Sequence, residues 1–282
     1  MKLVVKSIQI YIPYELSHLT AIIKLIKIVI NHLSQPNNLT TIRDIYYQDV
    51  EIFNKKQQEC KKLLIDVFED SLNWSLINDL NIHPTQKGLF FDSFSNEPML
   101  IPINFENYFE NKKFCINDLK IVVVEKDAVF HSFCQFLNLN SNSVKELNYI
   151  IITAKGFADK LTLRFLSFLN STYKPIAIYG FFDSDVYGIM IYKQFNENCG
   201  NSNLNFNGIF LFDTNPISWL NITNRDFKIM SKMSNDINSS THRELSRGMF
   251  FHKKVEMNVV SNKDGKDETT NYNQYIFNKT FK

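Results

Sequence analysis

The chain has 282 residues, 44% of them hydrophobic, enough to bury a sizeable core and to form two domains. A net charge of +2 gives no global argument for a polyanionic partner: residues 1–111 carry 10 basic and 13 acidic side chains, and residues 112–282 carry 21 and 16. Cys60, Cys115, Cys134 and Cys199 are scattered and no histidines pair at ligand spacing, which argues against zinc and disulfides; no secretory pattern opens the chain, so an intracellular protein is expected.

Leu19, Ile22, Ile23, Leu25, Ile26 and Val29 recur at helical spacing over 19–33. Lys24 and Lys27 interrupt this stretch, which is shorter than the ~20 residues of a membrane span. An amphipathic core helix and no membrane partner are therefore expected. Ser34-Gln35-Pro36-Asn37-Asn38 ends it. Thr40 or Thr41 can cap a second helix with Asp44 in its first turn, carrying Arg43, Ile45, Tyr46, Tyr47 and Val50. A further helical stretch covers about 56–80, where Lys55, Lys56, Lys61 and Lys62 form either a solvated face or a local DNA patch. GLFFDSF and PMLIPI then flank Ser95-Asn96-Glu97 as a hairpin. Helix, turn, helix and hairpin together suggest a winged helix (CAP-like helix-turn-helix) over residues 1–110.

The polar, aperiodic stretch 104–117 marks the expected boundary, and residues 111–282 read as a second domain. Strands are expected near 119–125, 148–153, 175–182 and 207–212, and helices near 127–138, 159–170 and 187–197. That alternation predicts an α/β domain with a mainly parallel sheet covered by helices. Residues 261–273 are polar and read as a loop.

Glu125 closes the apolar run IVVVEKDAV, and Asp183 and Asp185 close AIYGFFDSD. If both runs are buried parallel strands, these carboxylates share the sheet edge where open α/β folds build their sites. Three carboxylates there require a cation, and Mg2+ takes oxygen ligands while keeping water for a phosphate to displace. Read singly, Glu125 fits an ion pair with Lys126 or Lys155 equally well, and an Asp pair also marks receiver and phosphatase-like domains. Gly188 leaves room for close backbone approach after the pair. Tyr46 and Tyr47 fit core aromatics on an amphipathic helix. Arg43, however, lies four residues before Tyr47 on the same face, and a guanidinium beside a phenol suits attack on a phosphodiester. A phenol of pKa about 10 is a weak nucleophile at neutral pH, and a nearby cation lowers the cost of phenolate. Together these residues read as a DNA-cleaving site.

In this order the motifs resemble the topoisomerase VI A subunit family and its eukaryotic meiotic relatives, over nearly the whole chain. TTIRDIYYQD is similar to the family's nucleophile motif, KGLFF to the start of its wing, and IVVVEKDAVF, ITAKGFAD, FFDSDVYG and NGIFLF to its Toprim domain. The resemblance implies that Tyr47, assisted by Arg43, becomes linked to a 5′ phosphate of double-stranded DNA, and that Glu125, Asp183 and Asp185 hold Mg2+. Lys87, Lys155 and Phe157 are then candidate DNA contacts, although Lys155 equally suits ordering its loop and Phe157 suits filling the core. The family further implies a homodimer with the tyrosine from one protomer and the carboxylates from the other. B-type or accessory subunits would supply the ATP hydrolysis of the topoisomerase class, since no ATPase domain is read in this chain. Asn-rich composition favours the meiotic, nuclear branch over the archaeal, cytoplasmic one. Val186-Tyr187 replaces the family's usual Pro and following residue, so the helix start near 187 and the placement of Asp185 are expected to be loosened. A nuclease or primase-like Toprim enzyme with core tyrosines and a silent DNA-binding scaffold are the alternatives. Arg243 and Glu256 receive no role.

Overall fold

The computed structural model describes residues 16–35, 39–110, 112, 114, 118–140, 147–173, 177–199, 204–234, 239–259 and 272–282. The chain divides into two compact units, Met1–Thr85 and Gln86–Lys282.

The first unit is built from α1 (Leu16–Leu33), β1 (Thr40–Thr41), α2 (Ile42–Gln48), α3 (Gln57–Leu64) and β2 (Ile82–His83), with β1 and β2 paired in parallel. Thr41 starts α2 through a full capping box: its hydroxyl accepts the Asp44 N–H at 3.1 Å, and the Asp44 carboxylate accepts the Thr41 N–H at 3.1 Å. Leu25, Val29, Ile45, Phe53, Leu64 and Phe68 pack as the core. The expected helix over 56–80 continues from α3 as a π-helical turn only to Ser71. Asn73 enters the left-handed region with φ 56°, which stops the helix, and the Trp74 N–H returns to the Phe68 carbonyl at 2.8 Å. α1 is 18 residues long and, by length and composition, apolar enough to cross a membrane. It buries Ala21, Leu25 and Val29 but leaves Ile23 and Ile30 more than half exposed, so its buried stripe is narrower than a core helix predicts.

The second unit opens with β3 (Leu89–Asp92), β4 (Met99–Leu100) and α4 (Phe105–Glu110). It continues through β5 (Lys120–Val124), α5 (Asp127–Leu139), β6 (Tyr149–Thr153), α6 (Lys160–Tyr173), β7 (Ile178–Phe181), α7 (Val186–Asn198) and β8 (Leu204–Gly208). One six-stranded sheet results, in the order β4-β3-β6-β5-β7-β8. β6, β5, β7 and β8 run parallel, while β3 is antiparallel to both β4 and β6. Alternate strand residues serve opposite faces: Ile121, Val123, Ile150 and Ile152 meet α6 and α7, whereas Val122, Val124 and Ile151 meet α5. The remaining elements are β9 (Leu220–Asn221), α8 (Asn224–Met233), α9 (Ser239–Phe251), β10 (Lys253–Lys254), antiparallel to β9, and α10 (Tyr272–Phe281). Most of the polar stretch 261–273 lies outside the described residues, and its last two residues open α10.

Two expectations are corrected. The hairpin over 88–103 forms, but its strand β3, read as part of a wing, pairs antiparallel with β6 and joins the six-stranded sheet, and the compact units divide after Thr85. All four residues of β3 are buried, a pattern that needs cover on both faces and that a one-sided wing cannot give. The last parallel strand occupies Leu204–Gly208 instead of 207–212, because Leu204 and Phe206 are buried in alternation with Asn205 inside an Asn-rich run that hides them.

Candidate functional site

Helical register separates the two tyrosines of α2. Ile45 is fully buried, and Tyr46 packs partly buried against Phe53 with ring centroids 6.2 Å apart. Tyr47 is 59% exposed. Arg43, one turn earlier, donates from Nη2 to Tyr47 Oη at 3.4 Å, and its guanidinium carbon lies 5.5 Å from the ring centroid. This hydrogen bond raises the Arg43 pKa, so a fixed positive charge stands beside the phenol oxygen.

In the second unit, β5 and β7 are neighbouring parallel strands, and their carboxyl ends bring Glu125 and Asp183 together. The Glu125 N–H donates to the Phe181 carbonyl at 3.1 Å, and the Asp183 N–H donates to Glu125 Oε2 at 2.8 Å. Asp183 is buried: Oδ1 accepts the Met257 N–H at 2.8 Å, and Oδ2 pairs with Lys126 Nζ at 2.8 Å. Asp185 caps α7, accepting the Gly188 N–H on Oδ1 at 2.7 Å. The helix therefore starts firmly at Val186 without a proline, and the loosening expected there does not occur. At Gly188 a Cβ would lie 2.2 Å from the Asp183 carbonyl oxygen, so only glycine permits this helix end to approach the strand end.

Crowding governs the electrostatics. Burial, then the neighbouring Asp183 and Asp185 charges, push the Glu125 carboxyl up to about 8. Burial also raises Asp183, outweighing the Lys126 ammonium that pulls it down. For Lys126, burial opposes the charge, but Asp183 and Glu256 together outweigh it and raise its pKa. The donor set, buried Asp183 and Asp185 with the partly buried Glu125, has the hard oxygen chemistry that suits a divalent cation. Among the described residues, however, no group of three His, Cys, Asp or Glu side chains is arranged to hold one. Glu125 and Asp185 each accept one backbone N–H, and Asp183 accepts a backbone N–H and pairs with Lys126.

The other sequence candidates lie on the same unit with mixed outcomes. Lys155, with φ 56°, and Gly156, with φ 96°, form a left-handed turn whose Gly156 N–H donates to the Glu125 carbonyl at 3.0 Å. The backbone of this turn thus orders the site, and the Lys155 ammonium lies 3.5 Å from Asp127. Phe157 is 44% exposed, which overturns its reading as core. Lys87 donates to the Phe157 carbonyl at 3.0 Å and so braces that turn.

Residues 120–277 match the family model for the Toprim domain of the topoisomerase 6 A subunit and Spo11, and residues 17–82 match that of type IIB DNA topoisomerase. The chain belongs to the family of Spo11 and the topoisomerase 6 A subunit. It is 30% identical to the meiosis-specific protein SPO11 of Saccharomyces cerevisiae, over 88% of this chain and 72% of that protein. It is 27% identical to the meiotic recombination protein rec12 of Schizosaccharomyces pombe, over 79% and 68%. With the DNA topoisomerase 6 A subunit of Arabidopsis thaliana it shares 27% identity over 73% of this chain and 48% of that one. The four parallel strands β5 to β8, all inside the matched residues, are therefore those of a Toprim domain.

Three residues of this Toprim unit received no role from the sequence. Glu244 is buried and accepts the Ser184 hydroxyl at 2.7 Å together with the Leu211 N–H, clamping the residue between the two aspartates. Val255 pairs with Ser184 through both backbone groups, at 2.9 and 3.2 Å. Glu256 accepts Lys126 Nζ at 2.8 Å. No local signal marks them, because each meets the site only through tertiary contact.

Proposed function

We propose that this chain is a topoisomerase-like DNA transesterase that makes double-strand breaks through a 5′-phosphotyrosyl link. Tyr47 Oη attacks a backbone phosphorus and loses its proton; the bond from phosphorus to the 3′ oxygen breaks, and that oxygen leaves as a hydroxyl after taking up a proton. Arg43 favours the phenolate and faces the charge that develops on the phosphate. Glu125, Asp183 and Asp185 would hold Mg2+, which when bound supplies positive charge against the phosphate and the leaving oxygen. The tyrosine would come from one protomer of a homodimer and the carboxylates from the other, with B-type or accessory subunits as further partners. The meiotic, nuclear branch is favoured because the two yeast relatives named for meiosis align with 88% and 79% of this chain, against 54% for the topoisomerase 6 A subunit of Sulfurisphaera tokodaii.

The observation that carries this reading is the contrast within α2: Tyr47 is exposed beside Arg43, whereas Tyr46 packs against the core. Tyr47→Phe should abolish covalent protein-DNA complexes while leaving folding and DNA binding unchanged, since only the attacking oxygen is lost. Tyr46→Phe should retain them. Undiminished complexes from Tyr47→Phe, measured by immunoprecipitation of protein-linked DNA, would reject Tyr47 as the nucleophile.

A further inference from the structure

We infer that Lys126 is a built-in competitor for the divalent cation at Asp183, and that Glu256 is the carboxylate that receives its ammonium when the cation binds. This rests on the reading of Glu125, Asp183 and Asp185 as cation ligands. Lys126 Nζ lies 2.8 Å from Asp183 Oδ2 and 2.8 Å from Glu256 Oε2, midway in a three-group bridge. Asp183 Oδ1 already accepts the Met257 N–H and Oδ2 holds the Lys126 ammonium, so a cation reaching Asp183 meets a positive charge on the oxygen that carries no backbone bond. The two compete: an ammonium offers only donors, and its charge repels a divalent ion bound to the same carboxylate.

The geometry provides somewhere for the ammonium to go. The side chains of Lys126 and Glu256 are 24% and 39% exposed, against 6% for Asp183, so the pair can shift outward into a more solvated position without breaking. Glu256 stands between Val255, which pairs with Ser184, and Met257, which holds Asp183. One short segment thus fixes the aspartate and tethers its competitor. A site competent only when Lys126 has left binds its ion more weakly in proportion to the competent fraction.

The test is calorimetric titration of MgCl2 into the 282-residue chain without DNA. Lys126→Met should bind Mg2+ about tenfold tighter than wild type. Glu256→Gln should bind several-fold weaker, because the ammonium then has only Asp183. The double variant should match Lys126→Met, since Glu256 acts only through Lys126. Lys253→Met removes an equal charge from a lysine bonded instead to Asn221, and should leave the affinity unchanged. Unchanged or weaker binding in Lys126→Met, an equal gain in Lys253→Met, or further weakening in the double variant would overturn the inference. If Lys126→Met does not fold, Glu256→Gln alone decides, and unchanged or tighter binding rejects it. Asp185→Asn separates the two levels: wild-type affinity in that variant refutes the cation-site reading itself, whereas lost affinity there with no gain in Lys126→Met refutes only the competitor.

Discussion

Glu125 lies at the carboxyl end of β5, and burial with the charges of Asp183 and Asp185 raises its carboxyl from the ordinary 4.5 to about 8. A group that holds its proton more tightly folded than unfolded leaves the folded state binding more protons across that window, so stability falls as pH rises from about 4.5 to 8. In buffer free of divalent ions, the melting temperature of the wild type should therefore decline over this range, and Glu125→Gln should flatten the decline. Parallel profiles for the two proteins would contradict the assignment. Glu125 and Asp183 were legible in the sequence because strand ends of a parallel sheet must meet on one edge. The ion pairs were not: Lys126 and Lys155, read as partners of Glu125, pair instead with Asp183 and Glu256 and with Asp127, and a glutamate 130 positions from Lys126 is a contact that no local pattern announces.

At the level of elements, strand, turn and helix are locked together at β7 and α7. The Asp185 cap replaces the missing proline, and Gly188 lets the helix end touch the strand backbone. Gly188→Ala would place a Cβ 2.2 Å from the Asp183 carbonyl oxygen, and since backbone cannot swing aside as a side chain can, the whole turn must shift. We expect a loss of about 1–3 kcal/mol in urea unfolding, the usual range for overpacking. Unchanged stability would mean that the turn adapts without strain. The parallel strands and their helices were readable because continuous Val and Ile runs between helical patterns have few other interpretations. The β3 hairpin was visible as a hairpin but not as part of the sheet, since pairing of Leu89 with Thr153 is a long-range choice that turn residues do not encode.

For the whole molecule, the units divide after Thr85, with Tyr47 and Arg43 on the first and all three carboxylates on the second. The switch between helical and alternating patterns was legible in the sequence, whereas the polar stretch at 104–117, which looks like a linker, lies inside the second compact unit. This division makes a shared site testable, because each unit's defect can be carried by a different chain. Tyr47→Phe and Glu125→Gln homodimers should both be inactive. In a verified heterodimer of the two, one site combines an intact tyrosine with intact carboxylates, and the other carries both defects. Mapping of cleaved DNA should then show single-strand nicks, covalently attached Glu125→Gln protein, and essentially no double-strand breaks. Attached Tyr47→Phe protein, or no nicking by a heterodimer whose wild-type counterpart cuts, would contradict the account.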